Sequence, residues 1–444
     1  MLLLRPSRRL YPSNLPRIPF SRHTRLALLF LLTAAILEVI LHVRSWTVQQ
    51  PSDHELDTPF YTSCQEPATT SHQPREKAAL VMLVRNSELL KALKTVQSIE
   101  KHFNQWFHYP VVFLNDEPFS QEFVSVMNAS VSGEARFEHL VSRKEWGYPE
   151  WMDVSDVKDA KEAIKQQGED GILYAGMETY HHMCRFYSGK FYTLPALRDY
   201  KWYWRIEPDV DFYCSITYDP FVEMAKHDKV YGFTIALSEE PRTCPSLFRK
   251  VADYKEQHNI PTTELWKATV SPSWVPWPLR SFVMPWFFPS HCDRSGDGWS
   301  LCHYWSNFEI ANLDFFRGRE YQRLFEYLDK TGGFYYERWG DAAIHSLAVQ
   351  MLLPSHKVHH FEDFGYRHDW FYQCPANTPN GQLLESESLP VGSYYPEREG
   401  GIGCRCECDG SRTRNYPAYC TNKLKQPNTA RRIGTLELIR SWFP

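Results

Sequence analysis

The sequence predicts an α/β domain built on a largely parallel sheet. Three observations carry that expectation. The run "AALVMLVRN" (78–86) is continuously apolar, as a parallel strand covered on both faces requires. A helical stretch, "SELLKALKTVQSIEKHF", separates it from a second strand, "YPVVFLND" (109–116). Such a strand–helix–strand unit needs a crossover connection and therefore pairs its strands in parallel. Further strands are expected at 201–207 and 229–237, and no repeat or second linker interrupts 78–444.

The elements follow in chain order. Residues 26–43, "LALLFLLTAAILEVILHV", are apolar apart from Thr33, Glu38 and His42, and six arginines from Arg5 to Arg25 precede them. The length suits a bilayer-spanning helix of about 17–25 residues. Positive charge on the N-terminal side assigns 1–25 to the cytosol as a tail. A cleaved signal peptide is the competing reading. The long basic leader, and the lack of a small-residue cleavage site after His42, favour a retained signal anchor with the rest of the chain in a lumen. Glu38 counts against a span unless it sits near an interface. Residues 44–77 carry Pro, Gln, Ser, Thr and His without apolar periodicity and read as a stem.

The domain is assigned to 78–444. In its first helix Ser87 serves as a candidate N-cap, with Leu89, Leu90, Leu93, Val96, Ile99 and Phe103 on one face. The turn before it, Val84-Arg85-Asn86-Ser87, has no G-x-G-x-x-G, so a dinucleotide-binding fingerprint is absent. Arg85 and Asn86 beside a helix N-terminus still suit a diphosphate, or else are surface residues. Cys404, Cys406, Cys408 and Cys420, four of the eleven cysteines, cluster near the C-terminus. Their spacing departs from that of structural zinc sites, which leaves disulfides as the expectation. Asn128-Ala129-Ser130 is an N-glycosylation sequon. A formal net charge of -4 excludes an electrostatic case for a nucleic-acid partner.

The segment "YKWYWRIEPDVDFYC" (200–214) drives Trp202, Tyr203, Trp204 and Ile206 into Glu207, Asp209 and Asp211 around Pro208. An acidic turn leaving the core is one reading. The other is a metal site at the carboxyl end of a sheet strand, where such sheets place ligands. A divalent cation stabilises a departing nucleoside diphosphate by neutralising its charge, and is held by one or two carboxylates plus the substrate's phosphates. A lumenal α/β domain with such a turn points to a sugar-nucleotide transferase.

Longer motifs sharpen this. "YWRIEPDVDFYC", "CRFYSG" (184–189), the stretch 301–348 containing "WSNFEIANLDFF" and "ERWGDAAIHSLA", and "HFEDFGYRHDWFYQCP" (360–375) resemble the fungal α-1,2-mannosyltransferases of glycosyltransferase family 15. "VMLVRNSELL", "FHYPVVFLNDEPFSQEF" and "WGYPEWMD" resemble the N-terminal blocks of that family, so the likeness spans roughly 78–375. The resemblance implies a GT-A-like single catalytic domain with a Rossmann-like mixed sheet. It implies GDP-mannose as donor, Mn²⁺ as cofactor, a mannosylated glycoprotein as acceptor and residence in the Golgi membrane. It places the metal on Glu207 and on His368 of the G-Y-x-H block, with Asp209 secondary and Asp211 solvating the turn.

Retention of the α configuration requires a nucleophile or a front-face exchange, and the resemblance puts the candidate nucleophile at Glu309. The alternative for Glu309 is a buried ion pair with Arg317 or Arg338. Tyr180 in "METYHHMCRFYSG" matches a tyrosine at the acceptor, or is one more core ring. Arg185 is assigned to substrate binding together with Arg85, Asn86 and Asp341. For Asp341 the alternative is capping the helix after Gly340, and His345 is read as a packed core histidine. The residues after His368, Asp369-Trp370, depart from the family's prolines. The stretch between Leu237 and Leu301 is longer and more aromatic than in the family, which leaves the acceptor open. Two rivals stand beside the transferase: a lumenal glycan- or nucleotide-binding protein without catalysis, and a glycosidase using Glu207 and Glu309.

Overall fold

The computed structural model describes residues 21–46, 57–140, 145–271, 273, 275, 279–379, 397–409 and 418–425. Most of the expected cytosolic tail (1–20), and 47–56 of the expected stem, lie outside the described residues.

The strands in chain order are β1 (Ala78–Leu83), β2 (Val111–Asn115), β3 (Ala135–His139), β4 (Trp202–Arg205), β5 (Val210–Phe212), β6 (Tyr231–Phe233) and β7 (Ala236–Ser238). They continue as β8 (Val270–Ser271), β9 (Gly298–Trp299), β10 (Cys302–Tyr304), β11 (Glu309–Asn312), β12 (Val358–His360), β13 (Tyr366–His368) and β14 (Phe371–Gln373). The main sheet has seven strands in the order β12-β6-β11-β4-β1-β2-β3. β1 pairs in parallel with both β2 and β4, β2 with β3, and β6 with β12. β11 alone is reversed, antiparallel between β4 and β6. This is the Rossmann-like mixed sheet that the resemblance implied.

Alternation along β4 explains why so aromatic a strand is buried on both faces. Trp202 and Trp204 pack with Val96 and Phe103 of the helical segment that follows β1, while Tyr203 points into the opposite core with Phe191 and Tyr231. The chain leaves β1 toward β2 and β3 on one side and returns to β4 on the other. The carboxyl ends of β1 and β4 therefore part at a switch point, where open α/β sheets form their ligand crevice.

Two local expectations change. Ser87 is not the N-cap: Asn86–Glu88 form a 3₁₀ turn, the α-helix begins at Leu89, and the Arg85 N–H donates to the Glu88 carboxylate (3.1 Å). The tighter turn rotates the following helix, so Leu90 is 80% exposed while Ala92 and Thr95 face the core. The strand expected over 229–237 is two strands, because the chain leaves the main sheet after Phe233 and β7 pairs with β10 instead.

The C-terminal cysteines form disulfides, each to a distant partner: Cys64–Cys404, Cys214–Cys406, Cys302–Cys420 and Cys374–Cys408. Among the described residues, the one group of three or more His, Cys, Asp or Glu atoms close enough to share an ion is Cys214, Cys406 and Cys408, and all three are in these bridges.

The stem expected over 44–77 is shorter on the C-terminal side. Asp57 accepts from Lys229 Nζ (2.7 Å) and from the His360 N–H (2.8 Å), and lies 3.0 Å from His359 Nδ1. Phe60 stacks on His359, and Thr70 donates to the Thr217 carbonyl. Residues 57–77 thus strap the domain. The expected span at 26–43 falls within a helix, Arg22–Trp46, and its leucines from Leu26 to Leu37 and Phe30 are solvent-exposed. Among the described residues, no helix is long and apolar enough to cross a membrane.

Candidate active site

A cavity of about 630 Å³ opens where β1 and β4 diverge. The turn after β4 is fixed from below by Thr95, whose hydroxyl donates to the Glu207 carbonyl (3.0 Å) and accepts from the Val210 N–H (3.1 Å). Pro208 stiffens it, and Asp209 adopts a left-handed φ of 69°. Glu207, Asp209 and Arg85 all line the cavity.

Arg205, on the last residue of β4, organises this floor. Its guanidinium is buried and lies over the Tyr187 ring at 3.5 Å. Nε donates to Glu207 Oε1 (3.0 Å) and Nη2 to the same oxygen, while Nη1 donates to Asp341 Oδ2 (2.5 Å). Ser306 also donates to Asp341 Oδ2 (2.7 Å). Burial would raise the Asp341 carboxyl, but Arg205 and His345 outweigh it and hold the group below the usual carboxylate range. Asp341 is thus an ionised first residue of the helix Asp341–Leu352 whose side chain faces the cavity instead of capping.

His368, at the end of β13, completes the same wall. Its ring stacks on Trp305 (5.1 Å between centroids), and Nδ1 lies 2.5 Å from the Asn307 amide nitrogen. Asn307 is itself positioned by the Tyr366 hydroxyl (3.0 Å). Among the described residues none hydrogen-bonds His368 Nε2 or Glu207 Oε2, so a carboxylate oxygen and an imidazole nitrogen face one cavity. That donor set suits a divalent ion completed by phosphate oxygens, and fits Mn²⁺ better than Mg²⁺.

A second polar wall holds Tyr180, Glu239, His303 and Arg338. Glu239 Oε1 accepts from the Glu240 N–H (3.1 Å), Thr243 Oγ1 (3.2 Å) and Arg338 Nη2 (3.4 Å). The Arg338 guanidinium also lies 5.5 Å from the Tyr180 ring centre. Burial pushes the Tyr180 hydroxyl well above its ordinary value despite Arg338, so it stays a neutral phenol that can donate a hydrogen bond.

The structure therefore gathers Arg85, Tyr180, Glu207, Asp209, Asp341 and His368 around one cavity and leaves three candidates out. Asn86 bridges to the loop after β2, donating to the Pro118 carbonyl (2.9 Å) and accepting from the Ser120 N–H (2.9 Å). Arg185 is buried in a bidentate pair with Asp329 (2.7 and 2.9 Å) and donates its remaining Nη1 to the Gly147 carbonyl. Glu309 is fully buried and absent from the cavity wall. Tyr203 donates to its Oε1, and His345 Nδ1 lies 2.9 Å from its Oε2. Neither arginine proposed as its partner is near: Arg317 donates to the carbonyls of Tyr192, Leu197 and Tyr200, and Arg338 pairs with Glu239.

Asp209 is a weaker ligand candidate than Glu207, since Lys91 and Lys94 flank it at 3.8 and 3.7 Å. Asp211 pairs with Lys94 (3.0 Å), in keeping with a structural role. Sequence reasoning missed Arg205, Glu239 and His303. Arg205 carried a signal, being a charge at the end of an otherwise aromatic buried strand.

Comparison with known proteins agrees with this geometry. The family model described as Glycolipid 2-alpha-mannosyltransferase matches residues 44–382. O-glycoside alpha-1,2-mannosyltransferase homolog 4 of Schizosaccharomyces pombe is 38% identical over 414 residues, covering 88% of this chain and 87% of the relative. Glycolipid 2-alpha-mannosyltransferase 2 of Candida albicans is 42% identical over 301 residues, covering 68% of this chain and 60% of the relative. Among solved structures, Core-mannan synthase A of Aspergillus fumigatus in its Mn/GDP form superposes with a TM-score of 0.65 at 32% identity, covering 86% of this chain and 93% of the other. The mannosyltransferase Ktr4p of S. cerevisiae in complex with GDP gives a TM-score of 0.65 at 29% identity, covering 90% and 93%. This chain belongs to the glycolipid 2-alpha-mannosyltransferase family.

Proposed function

We propose that the protein is a retaining mannosyltransferase that moves mannose from GDP-mannose to a mannose hydroxyl of protein-linked glycans, forming α-1,2 linkages with Mn²⁺ as cofactor. The observation that carries this reading is the convergence of Glu207 and His368 on one cavity at the sheet's switch point, in a member of this family. Glu207 and His368 would hold the Mn²⁺, which would supply charge neutralisation for the departing diphosphate. Arg85 at the mouth adds a cationic contact to the diphosphate. Asp341, kept ionised by Arg205, accepts a hydrogen bond from a hydroxyl of the donor sugar.

Glu309 is fully buried and does not line the cavity, and this favours front-face exchange over a covalent glycosyl-enzyme. The bond from the anomeric carbon to the β-phosphate oxygen breaks, and its electron pair leaves with GDP. The acceptor oxygen bonds to the same face, and its proton passes to the departing phosphate oxygen. The cavity walls bring the groups together in an orientation that lowers the entropic part of the barrier.

The apolar run at 26–43 and the four disulfides support a type II protein anchored in the Golgi membrane with its domain in the lumen. The full-length protein in detergent, given GDP-mannose, Mn²⁺ and methyl α-mannoside, should form methyl α-mannobioside and GDP. Donor binding without turnover would support a catalytically inactive binding protein, and mannose release from the glycoside would support a glycosidase.

A further inference from the structure

Asn128-Ala129-Ser130 is the only Asn-x-Ser/Thr triplet in the chain, and the transfer reaction makes no use of it. It ends the helix Gln121–Ser130, which the domain packs by one face. Phe123 and Met127 turn into the core, while Gln121, Ser125, Asn128 and Ala129 are exposed on the outer side. The Asn128 side chain is therefore open to solvent in the folded domain.

The sheet decides where that side chain lies. β2 ends at Asn115, which lines the cavity together with Asp116. β3 runs parallel to β2, so the helix between them must carry the chain back to the other end of the sheet. Asn128, in the last turn of that helix, sits at the end away from the cavity. No residue from 121 to 139 lines the cavity.

The disulfides supply a second, independent observation. They join segments 34 to 340 residues apart, from the strap to the C-terminal cysteines. Such bridges form and persist in the oxidising compartment of the secretory route, where chains also receive N-glycans.

We infer that Asn128 carries an N-linked glycan. This rests on the lumenal placement proposed above. The donor class is a polyprenyl diphosphate-linked oligosaccharide, presented by a membrane-bound oligosaccharyltransferase. A bond forms from Asn128 Nδ2 to the anomeric carbon of the oligosaccharide, and the bond from that carbon to the diphosphate oxygen breaks. The electron pair leaves with the polyprenyl diphosphate, and one Nδ2 proton passes to a base of the transferase. In the fold the triplet is helical, and the Ser130 hydroxyl donates to the Val126 carbonyl (2.7 Å). Transfer therefore precedes closure of this helix, while that hydroxyl is still free to be read. Once the helix closes, the glycan extends into solvent from its outer face and leaves the cavity open.

The test uses full-length protein made in a eukaryotic host, with Asn128→Gln, Ser130→Ala and Ser130→Thr as variants. Wild type and Ser130→Thr should gain mobility on peptide N-glycosidase treatment, with Asn128 converted to Asp in the peptide mass spectrum. Asn128→Gln and Ser130→Ala should run at the treated mobility from the start and not shift. Melting temperature and mannose turnover of Asn128→Gln should stay near wild type, as for a surface change remote from the site. Protease protection in intact microsomes reads the lumenal placement separately. A protected wild-type domain that does not shift would overturn the inference and leave that placement standing. A shift that survives both Asn128→Gln and Ser130→Ala would overturn it too, by moving the glycan elsewhere. A domain open to protease, with no shift, would overturn the lumenal placement and the inference together.

Discussion

His345 holds the carboxylate of Glu309 from 2.9 Å in a site where both side chains are fully buried. The other ring nitrogen of His345 faces the Tyr187 carbonyl (3.0 Å) and donates to it, while Nδ1 shares a proton with Glu309, whose carboxyl burial pushes above its ordinary value. Burial alone would lower the His345 pKa, but Glu309 more than offsets this and holds it above its ordinary value. The pair is a buried, proton-sharing bridge between β11 and the helix that begins at Asp341.

Glu309→Gln should therefore act first on stability. It removes one partner of a fully buried Glu–His pair, a loss of about 3–5 kcal/mol. Thermal unfolding of the variant should shift down by many degrees, while GDP-mannose KM of the surviving native protein stays near wild type. A variant as stable as wild type with turnover down by orders of magnitude would restore Glu309 as the nucleophile.

Glu207→Gln should do the opposite. Glu207 is partly exposed, and among the described residues its Oε2 has no hydrogen-bond partner, so the fold tolerates the change while the metal site loses its anionic ligand. Mn²⁺-dependent GDP binding should weaken about 10-fold or more, measured by calorimetry at limiting Mn²⁺. Wild-type affinity there would remove Glu207 from the metal site.

Arg185→Ala should destabilise without touching the donor. The variant strands the buried Asp329 carboxylate, again at about 3–5 kcal/mol. Denaturant titration should show the loss. A raised GDP-mannose KM in a stably folded Arg185→Lys variant would return Arg185 to substrate binding.

Asp363 makes stability pH-dependent. Burial pushes its carboxyl up to about 7, against the lowering effect of the Tyr218 hydroxyl that donates to it (2.8 Å). The folded chain then holds a proton that the unfolded chain releases above its ordinary value of 3.8. Stability should fall as pH rises from the ordinary carboxylate range to about 7, and level off above that. Asp363→Asn keeps the acceptor oxygen and removes the charge. Melting curves from pH 5 to 8 should be flatter for the variant and higher at pH 8; parallel curves would rule the assignment out.

Asp57 has the reverse sign. Burial would raise its carboxyl, but His359 and Lys229 outweigh that and hold it well below the usual range. Its contribution is complete at neutral pH and fades as pH falls below the ordinary carboxylate range. Asp57→Asn should lower the neutral-pH melting temperature by several degrees, through loss of a largely buried pair. An unchanged melting temperature would return 57–77 to a loose stem.

The parallel sheet, the acidic turn at the end of β4 and the disulfide use of the cysteines were legible in the sequence, because each is local or compositional. An apolar run flanked by helical periodicity specifies a buried strand wherever it lies. "WRIEP" marks the point where a strand leaves the core, and the family motifs then picked Glu207 and His368. The roles of Glu309, Arg185 and Asn86 depended on partners 32 to 144 residues away, to which no local pattern points. A buried carboxylate in an aromatic run reads alike whether it faces a substrate or an imidazolium. Only the antiparallel insertion of β11 beside β4, with the packing of the Asp341–Leu352 helix, put His345 against Glu309. The tertiary structure likewise bound residues 57–77 to the domain. It also brought Glu239 and Gly340, about a hundred residues apart, together on one wall of the cavity, because charge pairing and cavity shape are decided between elements, not within them.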